Sequence, residues 1–173
     1  MTSLARTVAD CARTMPAGAA LALADSALRL GVVAGEVERL LGAPGGRGVR
    51  RARLVWAAAD PRAESPGESM TRWILTVSGL APGELQVPVR TSMGVFYPDL
   101  CWPEVSFCVE FDGAGKYGEG EAAAEAVLRE KRRQDALEEA GWTVVRVTWG
   151  DLQRPDQLVV RVRAGLARAR RRS

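Results

Sequence analysis

The chain has 173 residues with 24 basic and 21 acidic side chains, a net charge of +3 and 47% hydrophobic residues. This length fits one domain or one domain with a small extension, and without a signal peptide or roughly 18 consecutive apolar residues we expect a cytoplasmic protein with no membrane partner. Three cysteines without CxxC spacing, and the absence of histidine, argue against structural zinc and favour packed, reduced thiols.

Local start and stop signals predict four helices in the first part of the chain. Ser3 is a suitable N-cap for a helix through about Met15, and Pro16 stops it. Gly31 ends the second helix, and the sequence GAPGGRG separates the third from the fourth. The helices are expected near residues 3–15, 18–30, 34–41 and 49–59. Because residues 1–63 carry no recognisable chemistry, we interpret them as a helical adaptor.

After the stretch DPRAESPGES the pattern changes to a mixture of helices and strands. Ser65, Pro66 and Glu68 predict the start of a helix that runs to about Gly79. Further elements are expected as strands near 85–89, from 94 onward and at 105–112, a helix near 121–140, the strand WTVVRVTW and a helix near 155–170. WTVVRVTW is apolar enough to be an interior strand. Residues 64–173 therefore predict an α/β domain with the order α-β-β-β-α-β-α.

Acidic residues recur in the second and third predicted strands. A two-residue turn at Pro103 and Glu104 would pair residues whose numbers add up to 207. This register makes Asp99 and Glu110 diagonal neighbours, with Cβ atoms somewhat less than about 7–8 Å apart. A divalent cation between them would remove their repulsion, and oxygen ligands suit Mg²⁺. The alternative is a solvated sheet face on which these acids and Asp112 are ordinary polar residues.

Lys116 follows these acids in the loop GAGKYGEGE. Flanking glycines allow the chain to turn back, so that the lysine can approach the carboxylates. A lysine beside a metal site stabilises developing charge or positions a nucleophile. Lys116 and Lys131 are the only two lysines among the 24 basic residues, which either marks them as functional or reflects chance.

Three segments together resemble a known family. YPDL, VEFDGAGK and EKRRQDALEEAGWTVVRVTWGDL look like the very-short-patch-repair-like endonuclease domains of the PD-(D/E)XK nuclease superfamily. The similarity covers about residues 64–155 and includes the α-β-β-β-α-β order of the superfamily core. The resemblance implies a PD-(D/E)XK, restriction-endonuclease-like core and hydrolysis of DNA that depends on Mg²⁺ or Mn²⁺.

The same resemblance implies roles for individual residues. Asp99 and Glu110 would bind the metal ion, and Asp112 stands where the general motif has a lysine. Related domains often carry a histidine four residues further on, a position held here by Lys116, which would supply the missing cation. Glu68 fits the acid of the first core helix, but a capping box with Ser65 explains it without a metal.

Several other residues are candidate neighbours of this site. Lys131 and Arg132 can reach phosphate, although Lys131 and Asp135 also have the spacing of an ordinary helical ion pair. Arg146 and Gln86 are weaker candidates, with a surface ion partner and a polar strand residue as the simpler interpretations.

The basic character of the chain is concentrated at its C-terminal end. All six basic residues after Asp156 are arginines with no acid among them, so residues 1–156 carry a net charge of −3. Such a tail can contact phosphate, or it can be a solvated helix end.

The front segments TSLARTVADCA and ALALADSALRLG resemble the region that links a winged-helix domain to the nuclease-like domain in type IV toxin–antitoxin proteins of the AbiEi group. That resemblance implies that this chain is a piece of something longer, without its winged-helix half. The leading expectation is a Mg²⁺-dependent DNA endonuclease. The alternatives are a non-catalytic nucleic-acid-binding or antitoxin-type module with the same fold, and a structural fragment without activity.

Overall fold

The structure, a computed structural model, describes residues 2–43, 46–80, 83–113 and 121–172. The chain divides into two compact units, Met1–Val77 and Ser78–Ser173. The first unit is helical and the second combines helices with a sheet, so the protein is of mixed α/β class. Within the described ranges, none of the helices has the length and apolar character needed to cross a lipid bilayer.

The described part of the first unit contains the five helices that the sequence predicts. They are α1 (Leu4–Thr14), α2 (Ala17–Arg29), α3 (Ala34–Gly42), α4 (Val49–Ala57) and α5 (Pro66–Val77). The N-cap of α1 is confirmed, because Ser3 Oγ accepts a hydrogen bond from the Arg6 N–H at 3.2 Å. The core between α1 and its neighbours is rich in alanine, which combines high helix propensity with close helix packing: Ala5, Val8, Ala9, Ala12, Ala24, Ala27, Val37, Leu41 and Ala52.

A buried ion pair joins α2 to α5 in this unit. The Asp25 side chain is 1% exposed, and its Oδ2 lies 2.7 Å from Nη2 of Arg72. The Asp60 N–H donates to Asp25 Oδ1 at 2.8 Å. Helix α5 therefore belongs to the first unit. The boundary between the units lies after α5, at residues 77 and 78, whereas the sequence predicts it before α5, at residues 63 and 64.

Six strands form two sheets in the described part of the second unit. They are β1 (Glu84–Leu85), β2 (Val89–Thr91), β3 (Gly94–Phe96), β4 (Leu100–Trp102), β5 (Phe107–Phe111) and β6 (Thr143–Val147). The larger sheet has the order β1-β4-β5-β6, and β2 pairs with β3 separately. In the larger sheet β1, β4 and β5 are antiparallel neighbours, while β5 and β6 are parallel. The helices are α6 (Glu121–Glu139), α7 (Trp149–Leu152) and α8 (Pro155–Arg170).

Two of the predicted strands are wrong because each is divided. Gln86 has a positive φ of 54°, a conformation that an extended strand does not allow, and it separates β1 from β2. The strand predicted from Gly94 ends at Phe96 and pairs with β2, and a separate strand that pairs with β5 begins at Leu100. Gln86 is thus a residue of a left-handed bend and not a strand residue.

The predicted turn and register between β4 and β5 are also wrong. Residues Pro103–Val105 form a 3-10 turn, and Ser106 has a positive φ of 47°. The connection is longer than two residues, so Trp102 pairs with Phe107 and Leu100 with Val109. The register moves by two residues, and the alternation of side chains between the sheet faces is retained because its period is two.

Strand β6 lies at the edge of the described sheet, so the prediction of an interior strand is wrong. Its apolar residues are covered by helices, since both α6 and α8 pack against β6. Val145 and Val147 are 6% and 0% exposed. An apolar strand can therefore be buried by helices without a strand on each side.

Candidate active site at the end of strand β5

Three acidic residues collect at one edge of the four-stranded sheet. Glu110 lies near the end of β5, Asp112 directly follows β5, and Asp99 directly precedes the antiparallel strand β4. The Asp112 N–H donates to Val147 O at 2.7 Å, which continues the β5–β6 pairing beyond the strand. The β4–β5 connection lies at the other end of these two strands. Because β4 and β5 are antiparallel, the start of β4 lies beside the end of β5, and this brings the acids together.

The observed β4–β5 register predicts that Asp99 and Glu110 are direct and not diagonal neighbours. Leu100 pairs with Val109, and extending this register by one residue sets Asp99 opposite Glu110. Directly opposed residues have Cβ atoms about 4.5–5.5 Å apart. The Phe111 N–H donates to Asp99 Oδ2 at 2.7 Å, which fixes this carboxylate beside strand β5. The predicted proximity of the two acids therefore holds, although the register from which it was predicted does not.

Glu110 is buried and bonded to an arginine of α6. It is 5% exposed, and Arg133 Nη1 donates to its Oε2 at 2.8 Å while Nη2 donates to its Oε1. The Arg133 guanidinium also lies 5.6 Å from the ring centroid of Phe96. Burial opposes the charged form of Arg133, but the hydrogen bonds and charge of Glu110, supported by Glu130 and Asp99, leave its pKa above the ordinary value.

A second group of ion pairs adjoins Arg133. Glu130 Oε1 lies 3.2 Å from Arg133 Nη1 and also accepts a hydrogen bond from Arg146 Nη2. Arg146 Nη1 lies 3.7 Å from Asp112 Oδ2. Among the described residues, four carboxylates thus meet two guanidinium groups at this edge. We name the group formed by Asp99, Glu110, Asp112, Glu130, Arg133 and Arg146 the edge cluster.

The donor chemistry of the edge cluster is compatible with Mg²⁺. A carboxylate offers about four acceptor positions on its two oxygens, so the two hydrogen bonds from Arg133 leave positions on Glu110 for a cation. Mg²⁺ needs only one or two protein carboxylates, since water fills its other positions. No group of three or more acidic or cysteine side chains suited to a metal ion occurs in the part of the chain that the structure describes. Carboxylate oxygens are therefore the feature of this site that suits Mg²⁺, and Asp99 and Glu110 are the pair that would hold the ion.

The other candidate residues have different surroundings. Lys116 lies outside the described residues. Glu68 lies in the first turn of α5 in the first unit, where its N–H donates to Ser65 Oγ at 3.2 Å and its Oε2 accepts from the Glu64 N–H at 2.8 Å. Ser65 is thus confirmed as the cap, and the Glu68 carboxylate binds the backbone one residue before it, so the hydrogen bonds at the start of α5 account for Glu68 without a metal.

The basic candidates divide into bound and unbound side chains. Arg146, a predicted nucleic-acid contact, is committed to Glu130 and Asp112, which matches its interpretation as an ion partner. Lys131 and Arg132 are exposed on α6, and the described contacts include no ion pair or hydrogen bond for either side chain. These two residues retain the freedom that a phosphate contact requires.

Sequence reasoning missed Arg133 and Glu130. Arg133 is the third of three consecutive basic residues, and only its position four residues before buried Leu137 indicates that it faces inward. Glu130 lies three residues before Arg133 on the same side of the helix. A helical-face comparison with Leu137 could have separated Arg133 from the outward-facing Lys131 and Arg132.

Two cysteines occupy the strands of the site. Cys101 pairs directly with Cys108, and both side chains are free and buried. Burial, followed by the charges of Glu110 and Asp99, raises the pKa of Cys101 to about 12. Burial also raises the pKa of Cys108. Both thiols are therefore unreactive packing residues at neutral pH, as the sequence predicts.

Comparison with known proteins identifies two relatives from Mycobacterium tuberculosis. They are Uncharacterized protein Rv2248 of strain ATCC 25618 / H37Rv and Uncharacterized protein MT2308 of strain CDC 1551 / Oshkosh, each 35% identical over 173 residues. The similarity covers 98% of this chain and 62% of each relative, so the chain spans less than two thirds of the length of these proteins. No family model and no solved structure matches the chain. The chemistry of the edge cluster is therefore the basis for assigning an activity.

Proposed function

We propose that the protein is a divalent-metal-dependent DNA endonuclease of the PD-(D/E)XK type. The observation that carries this proposal is the contact of the Asp99 carboxylate with the Phe111 N–H, directly after Glu110 at a sheet edge, where excess negative charge attracts a cation. The sheet supports it, because three antiparallel strands are followed by a crossover helix and a fourth, parallel strand. This is the β-β-β-α-β order that the resemblance implies.

In this proposal the residues of the edge cluster hold the ion and keep its ligands in position. Asp99 and Glu110 are the ligands, and Mg²⁺ or Mn²⁺ between them would supply Lewis-acid stabilisation of charge on a phosphodiester. The Phe111 N–H holds the Asp99 carboxylate in place. Asp112 completes the acidic edge.

Basic residues supply the contacts to DNA. Lys116 stabilises charge on the reacting phosphate, in the role that the resemblance implies. Lys131 and Arg132 bind neighbouring phosphates from the exposed side of α6. Because these contacts address the backbone, they give affinity without base specificity.

The second candidate is a nucleic-acid-binding or antitoxin-type module without catalysis. Two observations favour it. Arg133 already neutralises Glu110 through two hydrogen bonds, and Asp112 stands where the general motif has a lysine. A domain in which an arginine permanently replaces the metal would keep the fold and lose the chemistry.

An assay for nicking of supercoiled DNA separates the two candidates. The nuclease converts supercoiled plasmid to open circles in Mg²⁺ or Mn²⁺ and stops in EDTA, whereas the module binds DNA in a gel-shift assay and leaves it intact at every metal concentration. Isothermal titration with Mg²⁺ or Mn²⁺ is the parallel measurement, and heat of binding at millimolar metal would favour the nuclease.

The C-terminal end of α8 provides a prediction about DNA affinity. Arg161 is bonded to Asp151 and Arg163 to the Ser78 carbonyl. The remaining arginines are exposed and form no ion pair with any described residue: Arg168, Arg170, Arg171 and Arg172. Replacing these four by Gln should reduce the slope of log affinity against log salt by about 0.9 for each DNA phosphate that the protein no longer neutralises.

The salt dependence is measured by fluorescence anisotropy with a labelled duplex. Substitution is preferable to deletion of residues 161–173, because deletion also removes buried Val162 and Leu166. The double substitution of Arg161 and Arg163 by Gln is the control, and it should change the slope less because both side chains already have protein partners. Equal slopes for the parent and the fourfold variant would exclude the tail from DNA binding.

A further inference from the structure

The charge of Glu110 has a protein counter-ion. Glu110 is 5% exposed, and burying a carboxylate to this depth is costly unless a close positive charge and hydrogen bonds compensate it. Arg133 supplies that charge through a bidentate pair, the strongest geometry available to a guanidinium and a carboxylate. Arg133 thus occupies one acceptor position on each Glu110 oxygen, so a metal ion bound to this carboxylate would lie directly beside the guanidinium charge.

Two further contacts hold Arg133 in this position. Its Nη1 lies 3.2 Å from Glu130 Oε1, and its guanidinium lies over the ring of Phe96. Glu130 is in turn bonded to Arg146. Four groups thus fix the position of Arg133: the buried acid, a second acid on its own helix, an aromatic ring and, through Glu130, a second arginine.

We propose that Arg133 is an internal lock on the metal site. Arg133 and a divalent cation are alternative counter-ions of Glu110, and the ion binds fully only when Arg133 releases this carboxylate. The choice of a divalent ion rests on the proposed function, whereas the competition rests on the geometry of Glu110 and Arg133. The lock makes metal binding weak in the absence of DNA, because the charge-assisted hydrogen bonds to Arg133 must first be broken.

Arg133→Met tests the lock without a catalytic assay. Met keeps an unbranched side chain of similar length and removes the charge, so Glu110 loses its counter-ion. In EDTA the melting temperature should fall by roughly 10 °C, because removing one partner of a buried pair leaves an uncompensated charge. In MgCl₂ at about ten times the dissociation constant, at least about 3 °C should be recovered, whereas the parent should change little.

Titration calorimetry gives the matching affinity. The Mg²⁺ affinity of Arg133→Met should exceed that of the parent by about 10-fold or more, the value of a single charge-assisted hydrogen bond. The double variant Arg133→Met with Glu110→Gln should melt above Arg133→Met in EDTA and lose the Mg²⁺ response. Arg132→Met is the matched control. Arg132 precedes Arg133 on α6 but is exposed, so the same substitution there should change neither the melting temperature nor the metal response.

Two outcomes overturn the lock: Arg133→Met melts like the parent in EDTA, or it is destabilised and gains nothing from Mg²⁺ or Mn²⁺. If Arg133→Met does not fold, Arg133→Lys replaces it. Lysine keeps the charge but not the bidentate geometry. A metal affinity higher than that of the parent supports the lock, and a metal affinity equal to that of the parent overturns it. If the parent nicks DNA but the Arg133 variants show no metal response, the lock alone is contradicted. If the Arg133 variants bind metal as expected but the parent does not nick DNA, the nuclease alone is contradicted.

Discussion

Asp99→Asn is expected to abolish metal-dependent nicking of supercoiled DNA while the protein remains folded. The substitution is nearly isosteric and removes the negative charge that a hard cation requires from its ligand. Its remaining carbonyl oxygen can still accept the hydrogen bond from the Phe111 N–H, which is 2.7 Å long in the parent. The loss of rate should exceed that of Lys116→Ala, for which on the order of 10²–10³-fold is expected from removing one charge-stabilising donor.

Nicking is measured by agarose gel in Mg²⁺, with circular dichroism and thermal melting as tests of folding. Glu104→Gln is a suitable control, because it makes the same chemical change at an exposed residue of the 3-10 turn, at the other end of the β4–β5 pair. In metal-free buffer Asp99→Asn should melt close to the parent temperature, because the side chain keeps its size and its acceptor for the Phe111 N–H. An Asn variant that nicks as fast as the parent would show that Asp99 is not a ligand.

Local signals were sufficient to predict every helix of the described residues except the short α7. The hydroxyl of Ser3 caps α1, and the positive φ values of Gly31 and Gly141, 82° and 87°, follow the ends of α2 and α6. Each signal acts within one or two turns of chain, so neighbouring residues decide the result. The short helix α7 was missed because its capping residues, Thr148 and Asp151, follow directly on an apolar strand.

Strand boundaries depended on information that the local pattern does not contain. Gln86 adopts a positive φ although it is neither Gly nor Asn, and the 3-10 turn before Ser106 lengthens a connection that Pro103 and Glu104 could have closed alone. Period-two alternation predicts which face a residue occupies but is unchanged by a slip of two residues. This is why the sheet face of Asp99 and Glu110 was predicted correctly from a wrong register.

The partners of the site residues were the least predictable feature. Glu110 meets Arg133 across 23 positions of sequence, and Arg146 meets Glu130 across 16. These contacts depend on how α6 packs against the sheet, and a charged residue on a helix is more often on its solvent face. An acid on a buried strand therefore predicts that a counter-ion exists without identifying it.

The second large effect is expected from Asp25→Ala in the helical unit, which should lose about 3–5 kcal/mol of unfolding free energy. Asp25 and Arg72 are 1% and 12% exposed, so removing the carboxylate leaves a guanidinium with little access to water and also leaves the Asp60 N–H without its acceptor. Urea unfolding followed by helical circular dichroism measures the loss. Asp10→Ala provides the matched control, because the Arg6–Asp10 pair is about half exposed, with side-chain values of 54% and 45%, and solvent screening should leave it with little effect on stability. Replacing Asp25 by Leu together with Arg72 by Met should cost less than Asp25→Ala, since no buried charge then remains. A loss below about 1 kcal/mol for Asp25→Ala would mean that this ion pair does not stabilise the contact between α2 and α5.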